Sequence, residues 1–205
     1  MDIDKNFKAI GQEIVEVIKD KLLLKYNEEF EVFKIGRRYG TVGNDSVTAY
    51  CRSIKNKDLL FKAVLNSDKV HFKDDYYLSL VCFELQKEIQ NAFQENNIEV
   101  YPRVTIIGLY ECKKKTKLAD FIKKENKFNF FIQLYVKDKV KLTNIKKSIE
   151  LIKDKYPSIN MRGNILLLDG ENYDKYVKVF KEICDSEDYS VDLSNIIEKY
   201  RIERI

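Results

Sequence analysis

Few residues in this chain have a type and spacing suited to covalent chemistry. There is one histidine, His71, so any Ser-His-Asp or Cys-His arrangement would have to use it. It stands between Val70 and Phe72 near an expected turn, and no Gly-x-Ser-x-Gly accompanies it, which reads as a strand-end or loop histidine. The adjacent carboxylates Glu28-Glu29 and Asp74-Asp75 do not make a ready general acid/base pair, because neighbouring positions on a helix do not face each other. Caps and solvated charge explain them. Cys51, Cys82, Cys112 and Cys184 are far apart and contain no Cys-x-x-Cys, so zinc-knuckle and dithiol chemistry are not expected. No calcium-loop spacing is present either. The expectation is therefore no metal and no cofactor.

One glycine cluster stands out, Gly36-Arg37-Arg38-Tyr39-Gly40-Thr41-Val42-Gly43. It lacks the Lys-Ser/Thr ending of a phosphate loop and leads into a strand, so a turn or bulge is the simpler reading. Arg37, Arg38 and Tyr39 are nevertheless the candidate partner-binding residues, since two guanidinium groups and a phenol on a turn can grip an acidic partner. A site assembled from distant residues would first involve Arg37, Arg38, Asp45 and Asp75. Tyr76-Tyr77 and Tyr110 are candidates for an interface.

Charge argues in the same direction. The 37 basic side chains nearly balance 33 acidic ones, most cations are Lys, and signs alternate, as in Lys19-Asp20-Lys21. That is the pattern of solvated helix faces and not of a nucleic-acid footprint. Lys113-Lys114-Lys115 has no aromatic interleaving and reads as a solvated loop. No apolar run is long enough to span a bilayer, and the acidic start, Met1-Asp2-Ile3-Asp4, does not resemble a signal peptide. The chain as given is expected in the cytoplasm with reduced thiols, the alternative being an exported or lipid-anchored precursor with its leader removed.

The elements that must position these residues follow from periodicity. Phe7, Ile10, Ile14, Val17 and Ile18 predict a helix over 4–26, stopped at Asn27. Strands follow around 30–35, at 46–54 with Val47, Ala49 and Cys51 on one face, and at 59–65 after a turn at 56–58, giving a three-strand antiparallel meander. A long helix from 74 or 75 to 96 carries Val81, Cys82, Leu85, Ile89 and Phe93, with Asp74 and Asp75 at its start. A strand at 98–110, a helix at 117–124, a strand at 128–136, a Thr143-capped helix at 143–156, a strand at 159–168 and a helix at 172–185 complete the alternation. The tail, 191–205, is read as a helix, its alternating end leaving a strand open. The fold class is α+β, with helices on a mixed, largely antiparallel sheet. The 205 residues suit one compact domain, any internal boundary falling near 112–117.

The stretch Lys25-Tyr26-Asn27-Glu28-Glu29-Phe30-Glu31-Val32, with Arg38-Tyr39-Gly40-Thr41, Val47-Thr48-Ala49-Tyr50, Phe61-Lys62-Ala63 and Asp75-Tyr76-Tyr77, resembles uncharacterised proteins of low-GC Gram-positive bacteria. Several of those look like lipoproteins or secretion-associated accessory proteins. The chain departs from a lipoprotein in having no leader and no lipobox Cys near its start. The resemblance assigns no catalytic residue. The expected function is a non-catalytic protein-interaction module of accessory or immunity type. The alternative is an enzyme or small-ligand-binding protein with a site built from distant residues.

Overall fold

The computed structural model describes residues 3–36, 45–107, 112, 114–124, 129–181 and 196–202. The chain packs as two compact units, 1–76 and 77–205. The α+β expectation holds, with the strands divided between two four-stranded sheets.

In the first unit, α1 (Ile3–Tyr26) buries Ile14, Ile18 and Leu22 at a spacing of four, the stripe that one helix face presents to a sheet. Asn27 takes a left-handed φ of 51° and its N–H reaches the Leu23 carbonyl at 2.8 Å, which ends the helix as expected. The strands β1 (Phe30–Ile35), β2 (Ser46–Ser53), β3 (Leu60–Asn66) and β4 (Phe72–Asp74) pair antiparallel in sequence order. Val47, Ala49, Cys51, Phe61, Ala63 and Leu65 are buried at every second position. The meander thus gains a fourth strand beyond the three expected. Asp68 makes the extra reversal: its Oδ1 accepts from the N–H groups of Val70 and His71, at 2.8 and 3.0 Å, and turns Phe72 back onto Leu65.

The second unit is a three-layer arrangement. Its sheet has the order β5 (Val100–Ile107), β6 (Asn129–Lys137), β7 (Asn160–Leu168), β8 (Ile196–Arg201), and only β6 and β7 are parallel. The crossover between those two runs through α4 (Leu142–Lys155). One face packs on α2 (Tyr76–Gln94, all but its first residue in this unit), α3 (Leu118–Lys124) and α4, through Leu85, Ile89, Phe93, Phe121, Ile145 and Ile149. The other face takes α5 (Gly170–Phe180), whose Tyr173, Tyr176 and Phe180 lie on Tyr135, Leu166 and Leu168.

Three expectations change here. The tail read as a helix is a strand, β8, because its alternation matches the pleat beside β7. Thr143 is not the cap of α4; Lys141 occupies that position without a side-chain bond, and Thr143 lies one residue inside the helix. Asp169, three residues before the expected helix start at Asn172, caps α5 by accepting the Asn172 N–H at 2.9 Å.

Candidate functional site

The register of the second sheet brings together residues that are scattered in the sequence. Arg103 pairs with Gln133, Gln133 with Asn164, and Asn164 with Arg201. Residues directly opposite in a ladder point to the same face, so these four side chains form one row across all four strands. At about 4.8 Å per strand the row runs roughly 14 Å from Arg103 to Arg201. The parity is that of Tyr101, Tyr135 and Leu166, so the row lies on the α5 side of the sheet. Two residues before Asn164 on the same face comes Arg162, opposite Phe131, which is opposite Thr105.

The helix stops where the row begins. Phe180, the last residue of α5, packs on Tyr101 and Tyr135, with ring centroids 6.0 and 4.5 Å apart. The Arg103 guanidinium lies 4.8 Å over the same Phe180 ring. Arg103 also donates to the Tyr135 hydroxyl, which donates in turn to Gln133 Oε1 at 3.2 Å. Burial raises the Tyr135 pKa and the Arg103 charge partly offsets it, so the phenol stays neutral. Arg103 is thus a guanidinium fixed by an aromatic ring and a hydroxyl, while Arg162 and Arg201 are exposed to solvent. Planar guanidinium groups presented on one sheet face suit bidentate recognition of carboxylate or phosphate.

A second polar cluster lies within the first unit. Asp74, at the end of β4, keeps 1% of its side chain exposed and accepts from Lys25 Nζ at 2.7 Å, from the Tyr76 N–H at 3.2 Å and from the Tyr26 hydroxyl. Asp75 precedes α2 but does not act as the expected first-turn acid. Its Oδ1 accepts the Lys62 N–H at 2.6 Å while its own N–H bonds to the Lys62 carbonyl at 3.1 Å. Although the residue keeps some surface, its carboxyl is packed in, and desolvation pushes its pKa up to about 6 against the pull of Lys62. Beneath the pair, Tyr26, Phe30, Phe61 and Tyr76 meet edge to face or tilted, and the Tyr76 hydroxyl donates to Glu28.

Arg37, Arg38 and Tyr39, the candidate partner-binding residues, lie outside the described residues, as does Tyr110. Asp45 is exposed just before β2. Of the interface candidates, Tyr76 is 6% exposed and belongs to the aromatic core, and Tyr77 is half-buried. His71 is exposed and bonds through Nδ1 to Asp68, as a loop histidine does. Lys114 and Lys115 are exposed. An open depression of roughly 530 Å³ between the ends of α2 and β5 is lined mainly by amides, among them Gln90, Asn91, Gln94 and Asn97. Among the described residues no group of three or more His, Cys, Asp or Glu side chains could hold a metal ion, and no helix is long and apolar enough to cross a membrane.

The chain matches no protein-family profile and no curated protein. Its fold is that of a solved structure, a DUF5037 family protein from Ruminococcus gnavus, with a TM-score of 0.69 over 92% of this chain and 90% of the other at 18% identity. That relationship is one of fold. The neighbour, like the proteins the sequence resembles, comes from a low-GC Gram-positive bacterium.

Arg103, Gln133, Asn164, Arg162 and Arg201 are not among the site residues expected from the sequence. A signal was present at Gln133, which interrupts the apolar run Phe-Phe-Ile-Gln-Leu-Tyr-Val, whereas Asn164 only precedes one, Asn-Ile-Leu-Leu-Leu. What joins them is register, which periodicity alone does not supply.

Proposed function

We propose that the protein is a non-catalytic binding module that docks an acidic segment of a protein partner on the arginine row of its second sheet. The observation that carries this is the alignment of Arg103, Gln133, Asn164 and Arg201 in one register row, flanked by Arg162. Carboxylates of the partner pair with the guanidinium groups, and the two amides bond to its backbone. A protein is favoured over nucleic acid because the row and its flank have three arginines on a chain whose charges otherwise alternate, and no stacking platform or continuous basic groove is evident in its sequence. Arg37, Arg38 and Tyr39 are retained as a second contact. This fits an accessory role in a cytoplasm.

The test is affinity purification from the source organism with the tagged native chain, alongside Arg162→Glu/Arg201→Glu and Arg37→Ala/Arg38→Ala. A stoichiometric protein partner lost on charge reversal at 162 and 201 supports the reading. A partner retained by that variant, or nucleic acid recovered instead of protein, overturns the assignment of the row.

The raised pKa of Asp75 favours one alternative, a small-ligand or catalytic site using that carboxyl, because perturbed acids concentrate at functional sites. Absence of any partner, with a small molecule that shifts the Asp75 titration, would favour it.

A further inference from the structure

Phe131 stands apart from the other aromatic residues of the second sheet. It lies on β6, paired with Thr105 on one side and Arg162 on the other, so its ring is on the α5 side, one step beyond the arginine row. Along β6 this face carries Tyr135, Gln133 and Phe131 at every second position. Tyr135 is covered by Phe180 of α5, whereas Phe131 is half-buried and belongs to neither hydrophobic cluster of the unit. Among the described residues no second ring and no cation stacks on it. Its opposite neighbours are polar and exposed: Thr105, whose hydroxyl donates to the Phe131 carbonyl at 3.5 Å, and Arg162.

The register sets the spacing around this ring. Arg162 is directly opposite on β7, and Arg103 is diagonal on β5, two residues further along. With about 4.8 Å between strands and about 3.3 Å per residue, the backbones of Arg103 and Arg162 are roughly 12 Å apart, with Phe131 between them. An extended peptide places residues i, i+2 and i+4 on one side, the outer two about 13 Å apart. The two spans match. A carboxylate on each guanidinium would leave the Phe131 ring facing water, and an apolar planar group between the two carboxylates would cover it.

We propose that the segment docked on this face is an extended acid-x-aromatic-x-acid stretch, its ring packed on Phe131 and its carboxylates paired with Arg103 and Arg162. This rests on the reading of the row as a site for an acidic protein segment and adds which segment it takes. Charge complementarity selects the acids, and the uncovered ring selects the aromatic residue between them. A single ring favours a protein segment over single-stranded RNA, whose sheet platforms stack two or three bases. Tyr101 and Tyr135, on the same face, are already occupied by Phe180.

The test is an NMR titration of the full chain at low ionic strength with two synthetic peptides, one containing Glu-Ser-Phe-Ser-Glu and the other Glu-Ser-Ser-Ser-Glu. The Phe peptide should bind about tenfold more tightly. Phe131→Ala should abolish that preference and leave the affinity for the Ser peptide unchanged. Equal affinity for the two peptides overturns this inference and leaves the row as an acidic-segment site. Failure of both peptides to bind, or binding undiminished by Arg162→Glu/Arg201→Glu, overturns the reading of the row and this inference with it. An oligouridine that binds more tightly than the Phe peptide overturns the choice of a protein segment. Should Phe131→Ala not fold, intermolecular NOEs between the peptide ring and Phe131 in the native chain decide: their presence supports the proposal and their absence overturns it.

Discussion

Gly163 and Ile132 face each other across the parallel β6–β7 pair so closely that a Cβ on Gly163 would stand 1.8 Å from the Ile132 carbonyl oxygen. Gly163 also has a φ of 142°, a backbone conformation side chains rarely adopt. Both constraints fall on the strand that carries Asn164 and Arg162. Gly163→Ala should therefore cost more than about 4 kcal/mol, in the range reserved for specific structural conflicts. Loss of soluble folded protein, or a large drop in melting temperature, is the expected readout; an unchanged melting temperature would contradict the geometry.

Phe180→Ala should be nearly as damaging, by about 3–5 kcal/mol, because the ring is 1% exposed and fills the space between Tyr101, Tyr135 and Tyr176. It also removes the ring beneath Arg103, so partner affinity should fall further than the Arg162→Glu change alone would produce. Calorimetry gives the first effect and a binding titration the second.

The α5 cap carries a pH signature. Two bonds from Asn172 hold the Asp169 carboxyl below its ordinary pKa. A depressed acid contributes stability above its unfolded pKa and loses it as pH falls through the folded value. Asp169→Ala should lower the melting temperature at pH 7, and the difference from the native chain should shrink on acidification below the ordinary aspartate pKa.

At the β3–β4 reversal, Asp68 is lowered to about 2, first by its side-chain bond to His71 and then by the His71 and Val70 N–H groups. His71→Ala removes the first cause and leaves the backbone donors. The Asp68 midpoint should rise part of the way to its ordinary value, as followed by NMR titration; no movement would show that the turn backbone alone sets it.

Binding at the arginine row should weaken with salt, because Arg162 and Arg201 are exposed and screened. Arg103, fixed over Phe180, should be less sensitive. Affinity measured across ionic strength, for the native chain and for Arg162→Glu/Arg201→Glu, separates the two contributions.

Much of the fold was legible because burial leaves periodic traces. The stripe Val81, Leu85, Ile89 and the alternation Val47, Ala49, Cys51 each predicted the right element and the right buried face. The strand β4 was not legible, since three residues are too few to show a period and the turn that creates it is set by the Asp68 side chain. The tail misled because alternation and helical spacing compete over six residues, and the neighbour that decides, β7, is distant in sequence. The arginine row was hidden for a related reason: each member is an isolated polar residue until pairing puts four strands in register. Asp75 was picked out by its residue type, but its raised pKa depends on desolvation, which outweighs the opposing pull of Lys62.

The two sheets also differ in how they can be assembled. In the first, each strand pairs with its sequence neighbour, whereas β6 and β7 run parallel and wait for residues 138–159, including α4, to be ordered between them. Connections of similar or greater length join β5 to β6 and β7 to β8, and closing each costs entropy before any pairing rewards it, so the second sheet should assemble more slowly than the first. Until it completes, β5 and β6 are a two-stranded ribbon rich in Phe, Ile and Val, an invitation to intermolecular pairing. Arg103 and Gln133 face each other in the middle of that ribbon. Before they can meet any partner, these two polar side chains already interrupt the apolar ribbon, the placement expected of residues that disfavour pairing with another copy.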